Sequence, residues 1–194
     1  PVVAVADLEG NWFKNPKRRD EILKLFDDMV LNGDVPHSLA ATALITNAYL
    51  YTGEDKYKQW VLDYTEVWME RTKKNGGILP DNVGPTGQIG EQRQGLWWGG
   101  LYGWNTFVGH YIMFSSLSIA VECALLLSGD YGYLDLLRSQ IKLLMDNAIT
   151  REDGQLLLVD FAPEVDHFIT DITRTWPVNG KFSKRQAEIY DCVY

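Results

Sequence analysis

The chain carries one motif twice, and that repeat limits its fold more than any other feature. Residues 38–51 (SLAATALITNAYLY) run into Thr52-Gly53-Glu54-Asp55-Lys56-Tyr57. Residues 115–127 (SSLSIAVECALLL) run into Ser128-Gly129-Asp130-Tyr131-Gly132-Tyr133. The turns align as T-G-E-x-x-Y on S-G-D-x-x-Y at an offset of 76 residues, from Tyr57 to Tyr133. Self-similarity of this kind is the mark of a stacked supersecondary unit. Each turn leads into an amphipathic run, residues 57–71 and 133–145. Each unit therefore reads as a helix of small and apolar residues, a tight turn, and a second helix with a polar face. Gly53 and Gly129 suit the left-handed position that ends a helix. Asp55 and Asp130 suit the next helix start, where acidic groups meet unpaired N–H groups.

Composition separates the two helices of each unit. Ala40, Ala41, Ala43 and Ala48, and Ser115, Ser116, Ser118, Ala120 and Ala124, are spread around their helices. This predicts inner helices buried on most sides. Their partners carry Lys, Asp, Glu and Arg on one face, with Trp60, Leu62, Val67 and Trp68 elsewhere. A further helix is expected over residues 18–31, an extended segment over 155–160 and a helical start near Ser183. Connections within units are short. Those between units, roughly residues 74–105 and 150–182, are long and rich in Trp, Tyr and Gly, which points to function. Antiparallel pairing gathers them at one end, beside the starts of the inner helices and His37.

The chain has 194 residues, 46% hydrophobic and 23% charged, enough for a single domain over 1–194 with a real core. Its net charge of −8 argues against a nucleic-acid partner. No apolar run reaches the ~20 residues that span a bilayer, so no membrane partner is expected. Cys123 and Cys192 form no CxxC pair and His is scarce, so no metal or cofactor is expected. Pro1 is not followed by the basic-then-apolar pattern of a signal peptide. There is no phosphate-cradling loop and no nucleophile elbow.

The inner helix, T/S-G-D/E-x-x-Y turn and outer helix resemble the hairpins of (α/α)-toroid carbohydrate-active enzymes, a group of polysaccharide lyases and glycoside hydrolases. Residues 75–91 (NGGILPDNVGPTGQIGE) with 96–105 (LWWGGLYGWN) look like the cleft-lining loop of such an enzyme. The resemblance covers about residues 33–148. It implies an all-α fold of repeated antiparallel helical hairpins. Closed toroids hold more hairpins than this chain, so it implies an incomplete (α/α) toroid, finished by further chain segments or subunits. It also implies an oligo- or polysaccharide substrate, and that substrate class favours a secreted or periplasmic protein.

Candidate residues follow. Gly76-Gly77 and Pro80 place Asp81 and Asn82 in a stiff loop, where they serve as an acid and a carbonyl-binding amide, or simply cap turns. Glu91 is a candidate general acid or base, and Arg93 a clamp for a carboxylate; the alternative is a solvated pair. Trp97, Trp98 and Trp104, interleaved with glycines, offer flat faces for sugar rings, or plug the top of the core. Asn105 and His37 complete the substrate-binding set. The resemblance gives Tyr102 and His110 the base and acid roles of β-elimination on a uronic-acid glycan, with Asn82 and Arg93 on the carboxylate. His110 also fits as a helix-start residue. The lyase reading stands first. A glycoside hydrolase using Asp81 and Glu91 as a carboxylate pair stands second, and a non-catalytic helical-repeat module binding glycans or proteins third. His167 and Trp176 are weaker candidates.

Overall fold

Both tight turns end their first helix with the same hydrogen bonds. The helix before each ends on a left-handed glycine, Gly53 at φ 67° and Gly129 at φ 75°. The glycine N–H donates to the carbonyl four residues back, Tyr49 or Leu125, at 2.7 Å in each case. The hydroxyl before it, on Thr52 or Ser128, donates to the carbonyl of Ala48 (2.8 Å) or Ala124 (2.7 Å). That hydroxyl also accepts from the N–H of Glu54 (3.2 Å) or Asp130 (3.0 Å). Sequence alike at a few positions thus reproduces an entire hydrogen-bond scheme, because each orphan group at a helix end needs a partner. The acidic residues after the glycines differ slightly. Glu54 caps through its backbone alone, whereas the Asp130 side chain accepts from the Gly132 N–H at 2.8 Å.

A computed structural model describes residues 12–27, 32–98, 103–104, 109–150, 152, 156–157, 160–162 and 167–169. Helix α1 spans Pro16–Phe26. Asn15 caps it by accepting from the Arg18 N–H at 3.2 Å, and Pro16 starts it. The helix therefore begins two residues earlier than periodicity predicts, because Asn-Pro is itself a start signal. The first hairpin pairs α2 (Ala41–Thr52), entered through a short 3-10 turn at Pro36–Ala40, with α3 (Asp55–Lys74). The second pairs α4 (Gly109–Ser128) with α5 (Leu134–Asn147). Small antiparallel ladders follow. Ile149–Thr150 (β1) pairs with Leu156–Leu157 (β2), and Asp160–Ala162 (β3) with His167–Ile169 (β4). The extended stretch expected at 155–160 is thus split between two ladders. The helical start near Ser183 lies outside the described residues.

Helices dominate, and the all-α hairpin reading holds. The centre of the fold is α4, which touches the Pro36–Ala40 turn, α2, α3 and α5. Its Met113, Leu117, Ala120, Val121 and Ala124 are sealed from solvent. Among the described residues, α4 is also the one helix long and apolar enough to cross a membrane by length and composition; half of that stretch is buried inside the fold. Helix α5 is amphipathic as predicted, with Leu134, Leu137, Ile141 and Leu144 inward.

One expectation fails in the first hairpin. Helix α2 was expected to be buried on most sides, yet only Thr42 and Thr46 are buried, while Leu44, Leu50 and Tyr51 are 72%, 62% and 92% exposed. In α3, Trp68 is sealed, and Trp60 and Val67 are 41% and 40% exposed. The reason is positional. An apolar helix is buried only where a neighbour covers it, and among the described residues α2 is covered along one side.

Candidate functional site

The long connection after α3 forms a packed hub. It opens with Asn75, whose side chain donates to the Ile78 carbonyl at 2.9 Å, and with Gly76 and Gly77 at positive φ. Gln140 reaches up from α5 and fixes this entry twice. Its Oε1 accepts from the Leu79 N–H at 2.8 Å, and its Nε2 donates to the Gly77 carbonyl at 2.9 Å. Pro80 is buried, and the chain reaches Asp81 inside the fold.

Asp81 is fully buried. Its N–H donates to the Trp97 carbonyl at 2.9 Å, and its carboxylate accepts from the Trp104 N–H at 2.8 Å. The Trp104 indole donates to the Leu79 carbonyl at 2.6 Å, and its ring meets Phe114 edge-on at 6.1 Å. A Cβ at Gly103 would collide with the Asp81 carboxylate, so glycine is required there. Arg93, also buried, lies over the Trp98 ring at 5.4 Å. Burial lowers the Arg93 pKa, and the attraction of Asp81 opposes that shift. Asn82 is buried too, and its Nδ2 has no hydrogen-bond partner among the described residues.

The hub is tied to the entrance of the first hairpin. Asp34 and Val83 exchange backbone hydrogen bonds of 2.8 and 3.2 Å. The Asp34 carboxylate accepts from the Tyr64 hydroxyl at 2.7 Å and pairs with Arg71, whose guanidinium covers the Trp68 ring at 4.8 Å. Burial and then the Asp34 charge push the Tyr64 phenol well above its ordinary range. Glu91 accepts from the Thr86 N–H at 3.1 Å and from its hydroxyl at 2.7 Å, closing a small loop. His37 is exposed, and its Nδ1 lies 3.3 Å from the Ser116 hydroxyl, which itself donates to the Ile112 carbonyl at 2.9 Å.

The structure therefore gathers Asp81, Asn82, Arg93, Trp97, Trp98 and Trp104 in one place, at the predicted end of the hairpins. It gathers them as an interior. Trp104 and Trp98 are buried, Trp97 is half-buried, and Asp81 holds backbone together. A sealed indole has no face to offer a ligand. Glu91 closes a local loop with Thr86, and His37 ties the entrance of the first hairpin to α4. Tyr102 and Asn105 lie outside the described residues, as does Trp176. His110 starts α4 and His167 starts β4, with their side chains outside what is described. Among the described residues, no group of three His, Cys, Asp or Glu is placed to hold a metal ion.

Sequence reasoning missed Asp34, Tyr64, Arg71 and Gln140. Gln140 had a readable signal. It is the one polar side chain among the inward positions of α5. Asp34 had none, since its partners are thirty or more residues away.

Fold and hub define a helical-hairpin repeat with a packed aromatic connection. The chain belongs to the family described as Domain of unknown function (DUF8034), whose model matches residues 2–176. It is also locally similar to peptidases. Xaa-Pro aminopeptidase 3 of Rattus norvegicus is 50% identical over 42 residues, 22% of this chain and 8% of that enzyme. Xaa-Pro aminopeptidase of Escherichia coli (strain K12) is 50% identical over 48 residues, 25% of this chain and 11% of the enzyme. Intermediate cleaving peptidase 55 of Schizosaccharomyces pombe is 47% identical over 49 residues, 25% and 10% respectively. The chain thus covers about a tenth of the length of these relatives. No solved structure matches it.

These similarities overturn the expected polysaccharide lyase, and the glycoside hydrolase beside it. The curated relatives are peptidases. The roles assigned to Tyr102 and His110 in β-elimination, and to Asp81 and Glu91 as a carboxylate pair, were defined by those activities and go with them. The physical source of the error is the hub. Glycine-spaced tryptophans read equally as a sugar cleft and as a core plug.

Proposed function

We propose that this protein acts on peptides, as part of an aminopeptidase of the Xaa-Pro kind that releases the residue ahead of a proline. The observation that carries the reading is the 50% identity with the rat and E. coli enzymes over 42 and 48 residues. A stretch of that length buries too little surface to fold alone. It needs a scaffold, and the helical hairpins, read as an arc of an incomplete (α/α) toroid, supply one.

The test is a peptide assay on the full chain. A tripeptide with proline second and its alanine counterpart are incubated with the protein, and the freed N-terminal residue is quantified by chromatography. Release several-fold faster from the proline peptide is expected. Equal release from both, or none from either while circular dichroism shows a folded helical protein, overturns the reading.

A further inference from the structure

Asn-Gly pairs occur at Asn32-Gly33, Asn75-Gly76 and Asn179-Gly180, the last outside the described residues. The pair is chemically weak. Its glycine nitrogen can close on the carbonyl carbon of the asparagine side chain, because glycine has no Cβ to block the approach. Folding decides whether that approach is open, and the two described pairs differ. Asn75 is held on both sides of the reacting atoms. Its half-buried side chain donates to the Ile78 carbonyl at 2.9 Å, and the Gly76 N–H donates to the Lys73 carbonyl at 3.3 Å. Its own N–H donates to the Arg71 and Thr72 carbonyls at the end of α3. Asn32 is exposed and held only through its N–H, which donates to the Asp27 carbonyl at 2.9 Å. Among the described residues, neither the Asn32 side-chain amide nor the Gly33 N–H has a hydrogen-bond partner. Bringing the two together therefore breaks no bond made within the fold, whereas at Asn75 it breaks two.

We propose that Asn32 is a modification site at which this chain deamidates itself, while the fold protects Asn75. The Gly33 nitrogen gives up its proton to solvent base and attacks Asn32 Cγ. A bond forms between that nitrogen and Cγ, the bond from Cγ to Nδ2 breaks, and Nδ2 takes a proton from solvent and leaves as ammonia. The product is a five-membered imide. Water then adds to one of its two carbonyls. Opening the bond from Cγ to nitrogen gives aspartate. Opening the bond from the main-chain carbonyl carbon to nitrogen gives isoaspartate, with the main chain running through Cγ. Either product places a carboxylate two residues ahead of Asp34, whose backbone is fixed to Val83 and whose own carboxylate holds Tyr64 and Arg71. The reaction therefore falls at the tie between the first hairpin and the hub. It stands on exposure and hydrogen bonding, independently of the peptidase reading.

The experiment incubates the full chain in mildly alkaline buffer, digests it under mildly acidic conditions and reads the peptides by chromatography with mass spectrometry. The peptide holding Asn32 is expected to gain the mass difference between an amide and an acid. It is expected to split into two products of equal mass, and to react several-fold faster than the peptide holding Asn75. In concentrated urea the two rates are expected to converge, since the fold no longer separates them. Gly33 lies outside the left-handed region, so Gly33→Ala tests the cyclisation without straining the backbone. It is expected to slow the reaction at Asn32 several-fold with unchanged circular dichroism. Asn75 reacting as fast as Asn32 in the folded protein overturns the inference. So does an Asn32 that stays intact in buffer while both pairs react in urea, or a Gly33→Ala rate equal to that of the wild type.

Discussion

The two hairpins share a turn down to individual hydrogen bonds, yet their first helices lead different lives. In α4, Leu117, Ala120 and Val121 are the centre of the core. In α2, Ala41 and Leu44 face water at the equivalent places, and Ile45 is only half-buried. Both helices are uncharged over most of their length and made of small and apolar residues. The difference lies in what surrounds them. Among the described residues, α4 is packed by the Pro36–Ala40 and Tyr131–Tyr133 turns and by α2, α3 and α5, while α2 is covered along one side. Local chemistry sets where a helix begins and ends; the neighbours set which of its faces are dry.

Substitutions can break or sharpen this contrast. The largest effect is expected for Leu117→Ala. It empties a sealed site in α4, with a loss of about 2–5 kcal/mol in denaturant unfolding. Asp81→Ala comes next. It leaves the Trp104 N–H without its acceptor and removes the charge beside buried Arg93, a loss of about 1–3 kcal/mol. That loss is expected with the far-UV helical signal retained, because Asp81 holds a connection and not a helix. Gly53→Ala and Gly129→Ala test what the hairpins share. Each forces a Cβ into the left-handed region and is expected to cost about 1–2 kcal/mol. The two costs should match, since nothing lies within 4 Å of either added Cβ.

Alkaline pH probes the first hairpin's own anchor. The Tyr64 phenol is raised above its ordinary value of 10.0, chiefly by burial and then by Asp34. A raised folded-state pKa means that the unfolded chain loses the proton first. Its contribution is therefore complete below pH 10 and is lost as pH climbs beyond it. Unfolding free energy followed through that range should fall in the wild type and fall less in Tyr64→Phe. The smallest effect is expected for Leu44→Ala, within about 0.5 kcal/mol, because the side chain already lies in solvent.

Much of the fold was legible in the chain. Thr52-Gly53-Glu54 and Ser128-Gly129-Asp130 announce a helix end and a helix start, and short-range hydrogen bonds honour them. The burial of α2 was not legible, because a run such as AATALITNAYLY carries no record of whether a neighbour is present. The hub was half legible. Its residues and its place at the rim beside the inner helices follow from loop length and antiparallel pairing. Its character does not, because Trp104 and Trp98 carry the same glycine spacing whether they stack on a ligand or on Phe114 and Arg93. The Asp34 and Gln140 anchors depend on partners dozens of residues away, beyond the reach of any local pattern.

Hydrogen–deuterium exchange resolved to individual helices tests the contrast between α2 and α4 most directly. The amides of α4 should exchange slowly and those of α2 markedly faster. Protection of α2 equal to that of α4 would contradict the account.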